Sequence, residues 1–593
     1  MQTLERYFTL YERFGKESAP GTPCEVSLGQ IAEALFCTER NAKLIVRKLS
    51  DEGLICWQAG RGRGNRSRLT FKQDRAELLL VEAKAFAESG EYKKAFELLR
   101  LYGGSTGAGE RFLEWMNGRF GFGKEQAEGR DVLRLPVYEP ILTLDPAEAM
   151  FSLSGHLAIQ LFDRLVQYDH ESCKIVPALA HYWESAADGR EWTFYLRKGI
   201  PFHNGKELTA ADVVFTLNRL RGKRNSWIVR LVEQVEELSP RVVQIRLSKP
   251  NRLFLRFLCS VSMSVLPLHL AGQTEEQFWR LPVGTGPFRV ERRSDERIVL
   301  QANAHYYLGR PHLDSVDIVV MPQAAKRPET WSWQQLLREP DQREVKPENS
   351  WAKKESESCC TLLLTWNMNK EGLHQHAAFR HAVDRLLDRT AMVAELGPNR
   401  AYAAEGYFYN GAGSSCSRDE ENSGEVPAIR ELLKEAGHDG TPVTLLTYNS
   451  HEAEAKWMVR RCTEAGIPMR IEVVSIDKVH EALSGADAIM HAIVFPEQEV
   501  CLIENYEQEG SFFKEYQPSG FLEWIKAKID QAIGLEPAAE RQAAFAAIEN
   551  RLKAEARVSF LLHTKFYTNY HSSFKGVGFN QNGWVDFKDV WRA

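Results

Sequence analysis

Apolar residues in the first 75 positions recur at helical spacing and then change to alternation. Leu4, Phe8, Tyr11 and Phe14 define one face of a first amphipathic helix, which Pro20, Gly21 and Pro23 end. Ser27 to Gln30 has the Ser-x-x-Gln form of a capping box, and it opens a second helix with Leu28, Ile31, Ala32 and Leu35 on one side. A short turn at Phe36-Cys37 leads to Thr38, a good N-cap for a third helix running through Leu49. Ala42, Ile45, Val46 and Leu49 face inward on that helix, and Thr38, Glu39, Arg40, Asn41, Lys43 and Arg47 face out. Two helices joined by a tight turn, the second basic outside, predict a helix-turn-helix whose second helix enters a DNA major groove.

After Gly53 the period falls to two. Leu54–Gln58 and Ser67–Phe71 read as paired strands around the stretch 59–66, which is rich in Gly and Arg. Arg61, Arg63, Arg66 and Arg68 place four positive charges in eight residues, with no acid between Gly53 and Gln73. Arginine forks pair with phosphates and can enter a minor groove, so the hairpin reads as the wing of a winged helix-turn-helix over 1–75. A solvated hairpin and an RNA-binding tail are the rival readings. Apolar strands on both sides of the loop argue against the tail. A dinucleotide fingerprint fails because a strand, not a helix, follows the glycines.

From Arg75 to Leu101 the pattern is helical again, with a break at Gly90. The glycines of 103–109 and 118–129 suggest a helical connector over 76–130 with flexible joints, and hence limited contact between the head and the rest of the chain.

From Asp131 short strands alternate with helices to the end of the chain, which predicts a large mixed α/β unit. Several segments there form an ordered series: Leu142–Ala147, Leu161–Val166, Pro177–Ala180, Asp188–Phe194, Leu196–Gly199, Phe202–Gly205, Leu208–Val213 and Gly284–Phe288. The series continues with Trp366-Asn367, Phe379–Arg385, Leu433–Gly437 and Ala465–Ile467. It resembles the family 5 extracytoplasmic solute-binding proteins, the receptors of oligopeptide, dipeptide and nickel importers, departing from their pattern at Trp366. Joined to a winged helix carrying Gly60–Phe71, and ending in Gly583–Lys588, the whole chain is similar to the SgrR-type regulators.

The resemblance implies a multidomain chain with a two-lobed α/β body of the periplasmic-binding-protein kind. One lobe comprises about 131–155, 271–360 and 564–593, a subdomain covers 156–270, and the opposing lobe runs from 361 to 563. It also implies a small-molecule solute held between the lobes, and binding to promoter or operator DNA. Trp366 and Asn367, at the expected crossing between lobes, are cleft candidates; a core aromatic and a bond to backbone are their structural alternatives. Peptide-binding members carry a Trp-containing segment with an Asp near the position of 492–499. Phe495 and Glu497 stand there in this chain and are further ligand-binding candidates, Glu497 as a partner for a cation; with the Trp replaced and the acid displaced, an ordinary peptide is not the expected ligand.

The formal net charge of the 593 residues is −5, so any DNA contact rests on a local basic patch. The start of the chain has no apolar signal core, and no uncharged run reaches the roughly 20 residues that cross a bilayer. The ten cysteines form no Cys-x-x-Cys pair. There is no phosphate-binding Gly-x-x-x-x-Gly-Lys followed by Ser or Thr and no His-Glu-x-x-His, and His374 and His376 read as solvated rather than as metal ligands. The expectation is a cytoplasmic regulator with no cofactor, no metal, no membrane contact and no catalytic turnover. Its rival is an importer receptor with an N-terminal anchoring module. Replacing Arg61, Arg63, Arg66 and Arg68 together by Ala should weaken binding to all DNA and lower the log–log salt slope by roughly 0.9 per lost phosphate contact. A titration with an unchanged slope would remove the wing from the DNA backbone.

Overall fold

A computed structural model describes residues 2–15, 21–60, 66–104, 106–125, 129–169, 172–322, 351–397, 400–408, 426–495, 498–580 and 582–593. The head begins with α1 (Gln2–Phe14), β1 (Cys24–Glu25), α2 (Leu28–Ala34) and α3 (Glu39–Asp51), followed by β2 (Ile55–Gln58) and β3 (Arg68–Phe71) in the sheet order β1-β3-β2. The capping box forms: Ser27 Oγ accepts from Gln30 N–H while Gln30 Oε1 accepts from Ser27 N–H, at 3.2 and 2.9 Å. Three helices continue from the wing: α4 (Arg75–Glu88), α5 (Tyr92–Tyr102) and α6 (Ala108–Asn117). The buried Arg75 guanidinium donates to the Glu12 carboxylate and the Tyr102 carbonyl, joining α1, α4 and α5. Apolar residues of α1, α3, α4, α5 and α6 form one core, with Tyr7, Phe8, Ile45, Leu49, Leu79, Phe96 and Phe112 all buried in it.

The glycines of 103–109 make no flexible joint. Gly103 caps α5, and Gly107, at φ +69°, starts α6, which turns back onto the helices before it. The second Gly-rich stretch becomes β4 (Gly121–Glu125), which pairs antiparallel with β5 (Arg130–Val137). Phe122 of β4 is buried in the body's core, with its ring 5.4 Å from Phe574.

The body continues with α7 (Ser152–Leu161), the ribbon β6 (Val166–Asp169) and β7 (Lys174–Pro177), and four strands: β8 (Ala180–Ser185), β9 (Glu191–Leu196), β10 (Val232–Ser239) and β11 (Val242–Leu247). β12 (Phe288–Arg293), β13 (Arg297–Ala302) and β14 (Ser315–Val320) then return to β5, giving the sheet order β12-β13-β14-β5-β4 with only β14 and β5 parallel. The opposing lobe holds β15 (Trp351–Trp366), β16 (Tyr402–Ala403), β17 (Val443–Tyr448), β18 (Met469–Val474), β19 (Ala488–Val494) and β20 (Val558–His571), ordered β16-β20-β15-β19-β17-β18, and its two long paired strands β15 and β20 run across the expected boundaries at 360/361 and 563/564.

Two of the sequence motifs have direct physical reasons. A Cβ on Gly284 would lie 1.9 Å from the Leu161 carbonyl oxygen and one on Gly286 2.4 Å from Leu161 C, so the turn can rest on the end of α7 only as glycine. Asp163, buried, accepts from Thr285 Oγ1 at 2.9 Å and Tyr306 OH at 3.0 Å, fixing the same turn. The helix α7 crosses the expected boundary at 155/156, because Leu153, Leu157 and Leu161 all pack under the β5 sheet. The subdomain and the opposing lobe share one apolar cluster containing Phe194, Ile245, Phe254, Ile503, Ile525 and Phe560.

Alternation along β14 joins head to body. Val316, Ile318 and Val320 point into the core over α7, while Val319, with Met321 just beyond the strand, packs into the core of the head. Each such buried side chain stabilises by roughly 1.5–3 kcal/mol. Between them Asp317, also buried, takes both arms of Arg297 at 2.6 and 2.7 Å and Arg134 Nε at 3.1 Å. The Lys93 N–H, in the first turn of α5, donates to Glu296 Oε2 at 2.8 Å. The loosely tethered head expected from the glycines is instead docked on the sheet.

Four histidines are held neutral by burial. From an ordinary value near 6.5, His156 and His491 fall to about 3, and His203 and His563 to about 4. Below pH 6.5 the unfolded chain takes up protons that the folded chain refuses. Stability is therefore complete above that pH and is lost as pH falls towards 4. Thermal unfolding should show a clearly lower midpoint at pH 5 than at pH 7.5; equal midpoints would contradict the burial.

Candidate functional site

The outward face of α3 carries the first candidate site. Thr38 Oγ1 accepts from the Asn41 N–H at 3.4 Å, so its hydroxyl caps the helix. Glu39 leans to α2: a Cβ on Gly29 would lie 3.1 Å from its Oε1. Thr38 thus has a local task, and Glu39, exposed beside Gly29, is an acid poorly suited to meet phosphate. Arg40, Asn41 and Lys43 are exposed, and Arg47 makes only an open pair with Asp51 at 3.9 Å. Arg66, at the base of the wing, sits 3.4 Å from the exposed Glu25, and Arg68 projects from β3. Arg61 and Arg63 lie outside the described residues. Two exposed apolar residues without a place in the expected set share this region, Phe36 and Leu44. The left-handed turn at Phe36 sets the first of them outward.

A second site lies between the lobes, where a cavity of about 880 Å³ opens. Glu148, Lys223 and Arg224 line one side and Asn367, Lys370, His480, Glu509 and Tyr516 the other. Arg224 reaches across, donating to the Glu509 carbonyl at 2.8 Å. Gly510 permits that reach, since a Cβ there would lie 2.1 Å from the guanidinium. Lys223 pairs with Glu275 at 3.1 Å, and Lys370 with Asp487 at 2.7 Å. Burial, with Arg224 nearby, holds His480 below the usual histidine range. The lining is charged on both sides and suits a small polar solute better than an apolar one. None of these cations was anticipated, although Arg221 to Arg224 is a cationic turn legible in the sequence.

Of the expected cleft residues that are described, only Asn367 borders the cavity. Trp366 is fully buried, stacked 6.1 Å from His374 and edge-on to Phe379 at 5.8 Å; it is a core aromatic, not a cleft wall. Asn367 does line the cavity, but its Nδ2 donates to the Ala486 carbonyl at 3.0 Å and its Oδ1 accepts from Asn369 N–H at 3.1 Å. Phe495 is buried against Tyr407 and Phe408, with centroids 5.5 and 5.1 Å away. Glu497 lies outside the described residues. His374 is not solvated: it is buried, and its Nε2 donates to the Asn367 carbonyl at 2.8 Å. Among the described residues, no group of three or more His, Cys, Asp or Glu could hold a metal ion, and no helix is long and apolar enough to cross a membrane.

Comparison with known proteins places both parts of the chain in described families. Residues 2–108 match the family described as sugar transport-related sRNA regulator N-term, and 174–485 match the bacterial extracellular solute-binding proteins, family 5 middle. The Bacillus subtilis (strain 168) protein YhjP is 30% identical over 603 residues, covering 100% of both chains. The HTH-type transcriptional regulator SgrR of Yersinia enterocolitica is 26% identical, covering 99% of this chain and 98% of its own. The periplasmic binding protein DppA of Helicobacter pylori, solved with the peptide STSA, superposes with a TM-score of 0.66 over 78% of this chain and 98% of its own. At 21% identity that likeness concerns the fold alone. With a regulator-type head and a solute-binding body in one chain, and relatives aligned along its whole length, the chain belongs to the SgrR-type regulators of the family 5 solute-binding proteins.

Proposed function

We propose that the chain is a ligand-responsive, DNA-binding transcription regulator of the cytoplasm. Its head reads an operator and its two-lobed body senses a small polar solute without turning it over. The observation that carries this reading is the shared core of head and body at Val319 and Met321, beside an outward basic helix. A solute that shifts the first lobe then shifts the element on which the head rests. Arg40, Asn41, Lys43 and Arg47 supply the major-groove face, with Arg61, Arg63, Arg66 and Arg68 on the flanking backbone. Lys223, Arg224 and Lys370 are the groups that meet the solute, in place of Trp366 and Phe495. The rival reading, an importer receptor anchored by its head, leaves the basic helix and wing without a task.

The direct test is selection of bound fragments from random duplex DNA by the intact chain; no enriched sequence would contradict the reading. On the enriched operator, Arg40→Ala should reduce discrimination against random DNA by about 1–3 kcal/mol. Equal losses on both DNAs would make Arg40 a phosphate contact. Val319→Lys should release the head from the sheet. Amide exchange measured by mass spectrometry over 92–102 should then accelerate about tenfold or more, and unchanged protection there would show that the docking does not hold α5.

A further inference from the structure

Phe36 is 96% exposed, the highest value among the exposed large apolar side chains, and its backbone stands at φ +50°. Glycine adopts that left-handed conformation freely, while a side chain adopts it at a cost that an outward-pointing ring does not recover by packing. The turn itself is well bonded, with Phe36 N–H donating to the Glu33 carbonyl at 3.1 Å and Cys37 N–H to the Ala32 carbonyl at 2.9 Å. Phe36 comes two residues before Thr38, the N-cap of α3, at the end of the helix from which Arg40 projects. Leu44, 61% exposed, lies one turn beyond Arg40 and one before Arg47 on the same face. Single exposed apolar side chains are ordinary. Two of them interleaved with the outward cations of a helix-turn-helix are placed where base edges would pass.

The major groove offers one apolar group, the 5-methyl of thymine, and apolar side chains are its natural partners. We infer that Phe36 and Leu44 read thymine methyl groups in the operator, Phe36 from the turn and Leu44 from the middle of α3. Arg40 and Arg47 beside them serve guanine or phosphate. This rests on the DNA-binding reading above and adds the base class that the head selects.

The test uses the intact chain and the sequence it enriches from random duplex DNA. Each thymine of the bound site is replaced in turn by deoxyuracil, which removes only the methyl group. Two positions should lose affinity by about fourfold, the factor that follows from burying a single methyl. Phe36→Gly should abolish the loss at one of them and Leu44→Ala at the other, with the salt slope of binding unchanged. Phe36→Gly should also melt no lower than the parent, since it relieves the left-handed turn. If every deoxyuracil site binds as tightly as its thymine parent, or if the loss survives in both variants, the inference is wrong while the DNA-binding reading stands. If Phe36→Gly instead alters the sedimentation of the free chain and leaves the thymine preference intact, the ring serves self-association and the inference is overturned. A chain that enriches no sequence overturns both readings together.

Discussion

The strand β14 is buried on two faces, and the regulator depends on that. Here alternate residues of the strand serve two cores, with Ile318 and Val320 under α7 and Val319, joined by Met321 just beyond the strand, under the head. Asp317 sits between them, and a buried carboxylate needs compensation. Arg297 and Arg134 supply it from the neighbouring strands β13 and β5. The three-strand ion cluster fixes the surface on which α5 rests, so any displacement of this sheet is passed to the head through packed side chains rather than through a linker.

The cleft shows a complementary economy. Apolar contact between subdomain and opposing lobe is extensive, and the polar cavity is confined to a corner where Arg224 crosses to Glu509 over Gly510. Charges from both lobes meet there, with Glu148 and Lys223 facing Lys370 and Glu509. A solute that competes for these pairs alters how the lobes attract one another. Such a competition is a direct way for a small polar molecule to change the relation of two rigid bodies.

Much of the fold was legible in the sequence because local patterns and tertiary packing agree there. The capping box at Ser27, the inward set on α3 and the alternating strands around the wing all stand where periodicity put them. Connectivity and cleft were harder to read. Glycines at 103 to 107 look alike whether they terminate two packed helices or link two domains, and only the packed partners distinguish the cases. The residues 121–125 carry little strand signal of their own and are held by pairing with β5. Resemblance placed Trp366 and Asn367 in the cleft. The ring instead fills the core beside Phe379, and only the amide borders the cavity. The cavity's own cations come from loops distant in sequence, whose juxtaposition no periodicity encodes.

The central claim is that solute occupancy and DNA binding are coupled through the docked head, and linkage makes this measurable. The small molecule released on denaturing the purified chain is identified and titrated by calorimetry into the intact chain with and without saturating operator. Coupling through a packed interface predicts a change in solute affinity within about 5–150-fold, matched by an equal change in operator affinity when the solute saturates. Identical solute affinities in the two titrations would contradict the account, leaving two folded modules that share a core but exchange no free energy.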